Sequence, residues 1–401
     1  MNSLIQLRLR SQLFVITFLL ACFGVLDGAQ AIITDTQGWF QNGNTAEGQT
    51  ALWNLRGGHY NTALGLLSLN ALVNGSSNTA VGAWSLTANN GNNNTATGAA
   101  ALSSNRIGED NTANGTSALD VNVEGSRNTA IGSQALTSNT AYDNTAIGFK
   151  ALTNNGGGNF NTAIGSNVLL NNTGSNNVGM GWYTLGGNTS GNSNTALGYG
   201  AGFTNTTGTG NIALGAWAGK GVSTGFNVMC LGYGVLGANV DNSTWIGNVW
   251  GVTTQSGNTA PVVVSDGGQL GVVASSERFK KDIAGMKDAS SVLLALRPVT
   301  FHYKSDAKDT PQFGLIAEEV AKVNPALVLR DQEGKPFTVR YDAVNAMLLN
   351  EFLKEHQKVE KLEAALGAVN ERLAEQDAKI QKVSAQLEVS QSAPQTVLND
   401  R

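Results

Sequence analysis

Charge is what most of this chain lacks. Residues 32–274 hold five Lys or Arg and nine Asp or Glu, against eighteen and nineteen in residues 275–401. So abrupt a change marks a domain boundary between Ala274 and Ser275. The net charge of -4 and the want of a basic stripe before that boundary leave no electrostatic case for a nucleic-acid or membrane-surface partner. Cysteine is almost absent as well. Loss of Cys22 with a leader would leave Cys230 alone, and a lone thiol forms no intrachain disulfide. Cys230 therefore reads as a small buried apolar residue. Paired carboxylates, which glycoside cleavage uses, are missing too: Glu109 and Asp110 are the only adjacent acids before the boundary, and they read as a solvated turn. Asp does not recur at positions that would hold calcium in a repeat. His302 and His356 have no partners that suggest a metal, and His59 lies in a repeat turn. No metal or cofactor is expected.

What is present at the N-terminus is an export pattern. Arg8 and Arg10 precede an apolar run from Leu13 to Val25, followed by Ala29, Gln30 and Ala31. That order of charge, apolar core and small residues is a secretory signal, removed after Ala31, and the run is too short to span a bilayer. Leu19, Leu20, Ala21 and Cys22 also fit a lipobox, so a lipoprotein held through Cys22 is the alternative. Either way the chain is expected to be secreted or on the cell surface.

Glycine supplies 49 residues, and it is periodic. Asn-Thr-Ala-x-Gly or a near relative starts at Asn44, Asn61, Asn78 and on through Asn211, Asn227 and Asn242, with a degenerate copy at Asn258, every 15 to 17 residues. A unit so short cannot bury its own apolar face and must stack on its neighbours. Alternating Ala, Ile and Leu predict two strands of about four or five residues per unit, joined by Gly/Asn turns, as one coil of a parallel β-solenoid. The recurring Gly would supply positive φ, and stacked Asn would satisfy turn amides from coil to coil. Fourteen coils at about 4.8 Å each give a rod of about 65 Å. Trp53, Trp84, Trp182, Trp217, Trp245 and Trp250 fill corners or contacts between chains, or stack on sugars.

These units resemble the head repeats of trimeric autotransporter adhesins, across about Asn44 to Asn258. The resemblance implies a left-handed parallel β-roll that associates as a trimer. The spacing here is slightly longer than is usual there. No C-terminal membrane-spanning strands are recognised, so autotransport is not expected.

Beyond the boundary the pattern changes to a mixed core. Ser291 to Leu296 reads as helical, Val299 to Tyr303 as a strand, and Phe313 to Val320 as a lead into a helix ending near Pro325. Ala326–Leu329 and Phe337–Tyr341 flank a turn at Glu333, Gly334 and Lys335. From Val359 an apolar 3-4 spacing runs through Leu362, Leu366, Val369, Leu373, Gln376, Ile380, Val383 and Leu387. Placing Leu366, Leu373, Ile380 and Leu387 at a puts Leu362, Val369 and Val383 at d, a choice that argues for three or four strands over two. The other reading of this helix is an amphipathic face packed on its own domain.

Four ordered blocks carry a second resemblance: residues 275–283 (SSERFKKDI), 296–304 (LRPVTFHYK), 314–320 (GLIAEEV) and 339–344 (VRYDAV). They look like the intramolecular chaperone auto-processing domain of endosialidase-type tailspikes and tail fibres, a serine peptidase family. The resemblance implies a domain that trimerises, helps the preceding β-structured stalk to fold, and then cuts itself off. Carried over by position, Ser275 is the nucleophile, Lys280 its general base, and the bond between Ala274 and Ser275 the cleavage site. Lys281 lies one position off the motif. Ser276 stands where the family usually has Asp, and Phe279 where it usually has Leu. Without cutting, Ser275 would be a helix N-cap, and Arg278 with Asp282 a helix-surface ion pair.

The expected molecule is mainly β. A signal at 1–31 precedes a β-solenoid stalk at 32–274, a small α+β chaperone domain at 275–345, a long trimeric coiled coil at 346–389 and a disordered tail at 390–401. Its partner is itself, as a homotrimer. A host-surface or glycan ligand fits an adhesin-like fibre, but nothing in the repeats identifies one. The alternative is a structural or adhesive fibre that keeps its coiled coil uncut.

Overall fold

The computed structural model describes residues 42–391 and divides into two compact units, Met1–Gly257 and Asn258–Arg401. The leader, the lipobox and the last ten residues of the tail lie outside the described residues.

The first unit is a parallel β-solenoid. A 13-stranded sheet runs from Thr45–Glu47 to Thr244–Ile246, each strand three residues long and paired to the strand of the next coil. Thr45, Ala46 and Glu47 lie beside Thr62, Ala63 and Leu64, and the same register repeats up the stack. The central residue is Ala in most strands and faces inward, as Ala63, Ala80 and Ala96 do at 0% exposure; Gly179 and Cys230 take its place in two later strands, and in the last strand it is the exposed Trp245. Small side chains are what an interior so narrow admits.

The other half of each coil differs from the expected second strand. The Ala-Leu step is a turn held by left-handed residues on either side of the Ala position: Lys150 (φ 56) and Leu152 (φ 51) flank Ala151, and the pattern recurs from Thr50 and Leu52 to Tyr183 and Leu185. Leucine is uncommon in that region, yet here each is buried and donates its amide to the next coil, as Leu152 does to the Val168 carbonyl at 2.9 Å. Where the chain has Gly202 (φ 60) and Gly219 (φ 75) instead, the conformation is kept. A second strand survives only as a short pair, Ser138–Asn139 with Asn154–Asn155, and isolated bridges.

Two asparagine ladders run through the interior. In the first, each Asn Oδ1 accepts from the amide of the next copy: Asn144 N donates to Asn128 Oδ1 at 3.0 Å, and Asn161 N to Asn144 Oδ1 at 2.9 Å. Each Nδ2 also reaches a turn carbonyl, as Asn128 does to Ala141 at 2.8 Å. The second ladder runs from Asn89 to Asn205. Asn105 Nδ2 donates to Asn89 Oδ1 at 2.6 Å and to Gly108 O at 2.9 Å, and Leu55, Leu72 and Val222 occupy the same inward position at its two ends. No buried side-chain polar atom among the described residues lacks a partner.

The late repeats are in a different register from the one their asparagines suggested. Ile212 pairs with Met229 and Ala213 with Cys230, so Val228 fills the asparagine position and Asn227 precedes it. Likewise Thr244 pairs with Met229, which puts Ser243, not Asn242, at that position. Asn258 begins no coil of the sheet and falls in the second unit.

The second unit opens with an antiparallel pair, Val263–Val264 with Leu270–Gly271, and a 3-10 turn at Glu277–Phe279. A 3-10 segment, Lys287–Ala295, is followed by antiparallel strands Val299–Phe301 and Gln312–Gly314. Next come a short helix, Ala317–Val323, and the pair Val328–Arg330 with Pro336–Val339. A single terminal helix then spans Tyr341–Gln391 without a break at residue 345. The core of this unit is small: Val320, Leu327, Val328, Val339, Val344 and Met347. Beyond Lys354 the helix touches nothing in its own unit that buries it, so the seam is not packed on its own domain. No helix among the described residues is long and apolar enough to cross a membrane.

Candidate active site at Ser275

The serine and lysine singled out by sequence are together. Ser276 precedes the 3-10 turn, Phe279 N donates to Ser276 O at 3.0 Å, and Lys280 N donates to Glu277 O at 2.9 Å. This tight turn reverses the chain, and the extended Lys280 (φ -120, ψ 152) projects its side chain back along the segment. Its Nζ donates to Ser275 Oγ at 3.2 Å. Five residues along an α-helix would place the two side chains on different faces. The turn is what closes the gap.

Two competing roles for these residues do not hold. The residue before the turn is Ser276, whose side chain makes no capping hydrogen bond, so Ser275 is not an N-cap. Arg278 and Asp282 form no ion pair among the described residues. Asp282 sits at φ 54, outside any helix, and the Arg278 guanidinium lies 4.6 Å from the Phe279 ring instead. Ala274, Ser275 and Lys280 are all exposed, so in one chain the pair is open to water.

A second polar cluster in this unit carries no sequence signature. Ser290, fully buried, donates to Glu351 Oε1 at 2.5 Å and accepts from Asn350 Nδ2 at 2.6 Å. Lys354 Nζ bridges Glu351 at 2.9 Å and Asp288 at 3.2 Å. The Ser290 hydrogen bond, then Lys354, hold the Glu351 carboxyl below its ordinary range, and Glu351 raises Lys354. Ser290 is a clamp between the 3-10 segment and the terminal helix, its hydroxyl bonded to Glu351 and Asn350. Arg297 adds a two-pronged bond to Glu319, at 2.5 and 3.1 Å, joining two of the four sequence blocks.

The rod offers no comparable chemistry. Glu109 and Asp110 accept from Asn92 and Asn93 of the adjoining coil at 2.7 and 3.1 Å, which is the turn role expected. Cys230 occupies the inward Ala position, and burial pushes its thiol up. Trp182 stacks on Tyr199 with centroids 5.0 Å apart, and Tyr199 meets Trp217 edge-on at 4.9 Å. These rings pack on one another from coil to coil. No group of acidic, His or Cys residues among the described residues is arranged to hold a metal.

No curated protein and no solved structure matches the chain. One family model does, that of the chaperone of endosialidase, over residues 275–329. The match starts at the serine that Lys280 contacts and ends inside the strand Val328–Arg330, so the fourth sequence block and the terminal helix lie beyond it. Residues 275–329 thus match the chaperone domain of endosialidase, and a parallel β-solenoid precedes them.

Proposed function

We propose that the chain is an exported trimeric fibre, adhesin-like at its rod, whose C-terminal unit drives assembly and then cuts itself away before Ser275. The observation that carries this reading is the 3.2 Å contact between Lys280 Nζ and Ser275 Oγ at the first residue of the family match. Trimerisation is supported by the terminal helix. Its seam residues from Val359 to Leu387 are 47% to 61% exposed in a single chain, and so long an apolar stripe is stable in water only when other helices cover it. Export rests on the leader pattern, and left-handed winding of the rod on its resemblance to adhesin heads.

The cut is a single-turnover reaction. Ser275 Oγ adds to the Ala274 carbonyl carbon while its proton passes to Lys280 Nζ. The bond from that carbon to the Ser275 nitrogen breaks, and the nitrogen takes the proton, leaving an ester. Water then hydrolyses the ester. Ala274 becomes a C-terminal carboxyl group, and Ser275 recovers its hydroxyl as the first residue of the released piece. Serine needs such a base to act. Only an unprotonated amine can serve, and removal from water favours that form of a lysine. Packing of two further chains around this exposed segment would remove it from water, so cutting follows assembly. A parallel β-rod folds slowly through non-local contacts. A clamp discarded after use then leaves a rod whose unfolding has no template for return.

The test compares wild type, Ser275→Ala and Lys280→Ala on a denaturing gel after expression. Wild type should yield a piece spanning 275–401, and each variant only full-length chain. A full-length band alone from wild type removes the self-cleavage reading and leaves the uncut fibre.

A further inference from the structure

We infer that the corner of the rod around Trp217 binds an acidic glycan, a sugar chain that bears carboxylates. The inference rests on the exported, adhesin-like reading above and names the class of ligand its rod takes. In the late coils a ring follows the corner glycine: Trp182 after Gly181, Tyr199 after Gly198 and Tyr233 after Gly232, exposed at 44%, 46% and 79%. Trp217 stands one place further on, two residues after Gly215. Its indole packs on the adjoining coil where Gly200, at φ +61, leaves room, since a Cβ there would lie 2.6 Å from the ring. Tyr199 and Phe203 lie at 80° and 84° to the indole, with centroids 4.9 and 6.3 Å away, so neither stacks face to face on it. Lys220 Nζ lies over the same ring, 5.6 Å from its centroid.

Stacking of the coils does not call for these rings. Earlier coils carry Ala99, Thr116 and Ser133 after the corner glycine, and their interior residues Ala101, Ala118 and Ala135 are fully buried all the same. Charge separates the two stretches as well. Glu109, Asp110, Asp120, Glu124 and Asp143 fall among the earlier coils, whereas residues 144–240 hold no Asp or Glu, and their charged side chains are Lys150 and Lys220. Both lysines rest over aromatic rings, Lys150 over Phe149 at 5.1 Å. A sugar packs its C–H face against the electron-rich face of an aromatic ring. A carboxylate on that sugar then meets Lys220, with no acid in the stretch to oppose it. Nucleic acid fits less well, because its binding needs several phosphates neutralised and this stretch offers two cations.

The experiment applies the full chain to an array of immobilised oligosaccharides in which carboxylated chains are paired with their neutral counterparts, at low and at physiological salt. Wild type should be retained by carboxylated sugars at least about tenfold more strongly than by the neutral ones, and the preference should fall as salt rises. Lys220→Glu, at an exposed position, should remove that preference without disturbing the fold. Trp217→Ala should lower retention of both forms by about tenfold or more. Trp84→Ala is the control, an exposed indole two residues after Gly82 in an early coil, and should bind as wild type does. No retention by any carboxylated sugar, equal retention by the neutral counterparts, or wild-type binding by Lys220→Glu overturns the inference. A Trp217→Ala chain that sediments as a smaller assembly than wild type gives the rings to contacts between copies, and overturns it too. Self-cleavage and assembly are read separately, on the gel and by sedimentation, so their failure is told apart from failure here.

Discussion

The two units solve the burial of apolar surface in opposite ways. In the rod each coil is covered by the next coil of the same chain, and interior residues such as Ala130, Leu136 and Ala146 reach 0% exposure. Its interior polar groups are covered too, by the two Asn ladders. In the C-terminal unit six residues make the core, while Leu294, Phe313 and Phe337 stand 82%, 81% and 73% exposed. A repeat supplies its own partners along the chain. The C-terminal unit does not cover these side chains within one chain, and under the assembly proposed above they are the surface left for other copies.

If the rod's stability lies in close backbone stacking, a single methyl group should break it. Gly148 sits at φ +134, and a Cβ there would lie 2.5 Å from the carbonyl oxygen of Gly165 in the next coil. Gly148→Ala would have to strain the backbone and push two coils apart, at a cost of about 3 kcal/mol or more. Because each coil contacts only its neighbours, the loss divides the stack at that point. The measurement is the denaturant midpoint of the rod, with limited proteolysis expected to cut near residue 148. An unchanged midpoint would mean that the coils are not stacked so closely.

A smaller loss tests the polar interior. Asn128→Ala removes the acceptor of the Asn144 amide and the donor to the Ala141 carbonyl. The Asn144 amide is then buried without an acceptor, while the Ala141 carbonyl keeps Asn139 Nδ2 at 2.9 Å, and the rod should lose about 2 kcal/mol, again read from the denaturant midpoint. An exposed asparagine of another coil, such as Asn54, should cost far less when replaced.

How much of this was legible depended on what each residue's neighbours require. The period, the parallel stacking and the first Asn ladder follow from spacing and from amides that need acceptors. The left-handed leucines did not, because Ala-Leu after Gly alternates as a strand does, and only the stacked structure reveals that Leu152 donates across coils from a turn. The second ladder was hidden by Leu55, Leu72 and Val222, which take its position at the ends. The late register slipped because Asn227 and Asn242 also find partners, each other, at 2.9 Å. The Ser275–Lys280 pair came from family likeness. Its geometry depends on a 3-10 turn that residue spacing does not announce. The apolar seam was plain in the heptads because a helix with no other partner must write its contacts in sequence.

The smallest expected effect is the sharpest comparison, since it repeats the Gly→Ala change where stacking is absent. Gly367 lies inside the terminal helix at a b position, away from the seam, and a Cβ there would meet nothing within 4 Å. Glycine in a helix interior sacrifices chain entropy that alanine does not, so Gly367→Ala should stabilise the helix by about 0.5–1 kcal/mol, seen as a higher midpoint in its thermal melt by circular dichroism. The same added methyl group thus changes sign between the units. In the rod it meets the backbone of the next coil, and in the helix it meets water. A destabilising result at Gly367 would place another chain against that face, which a three-stranded coil closed through a and d leaves open.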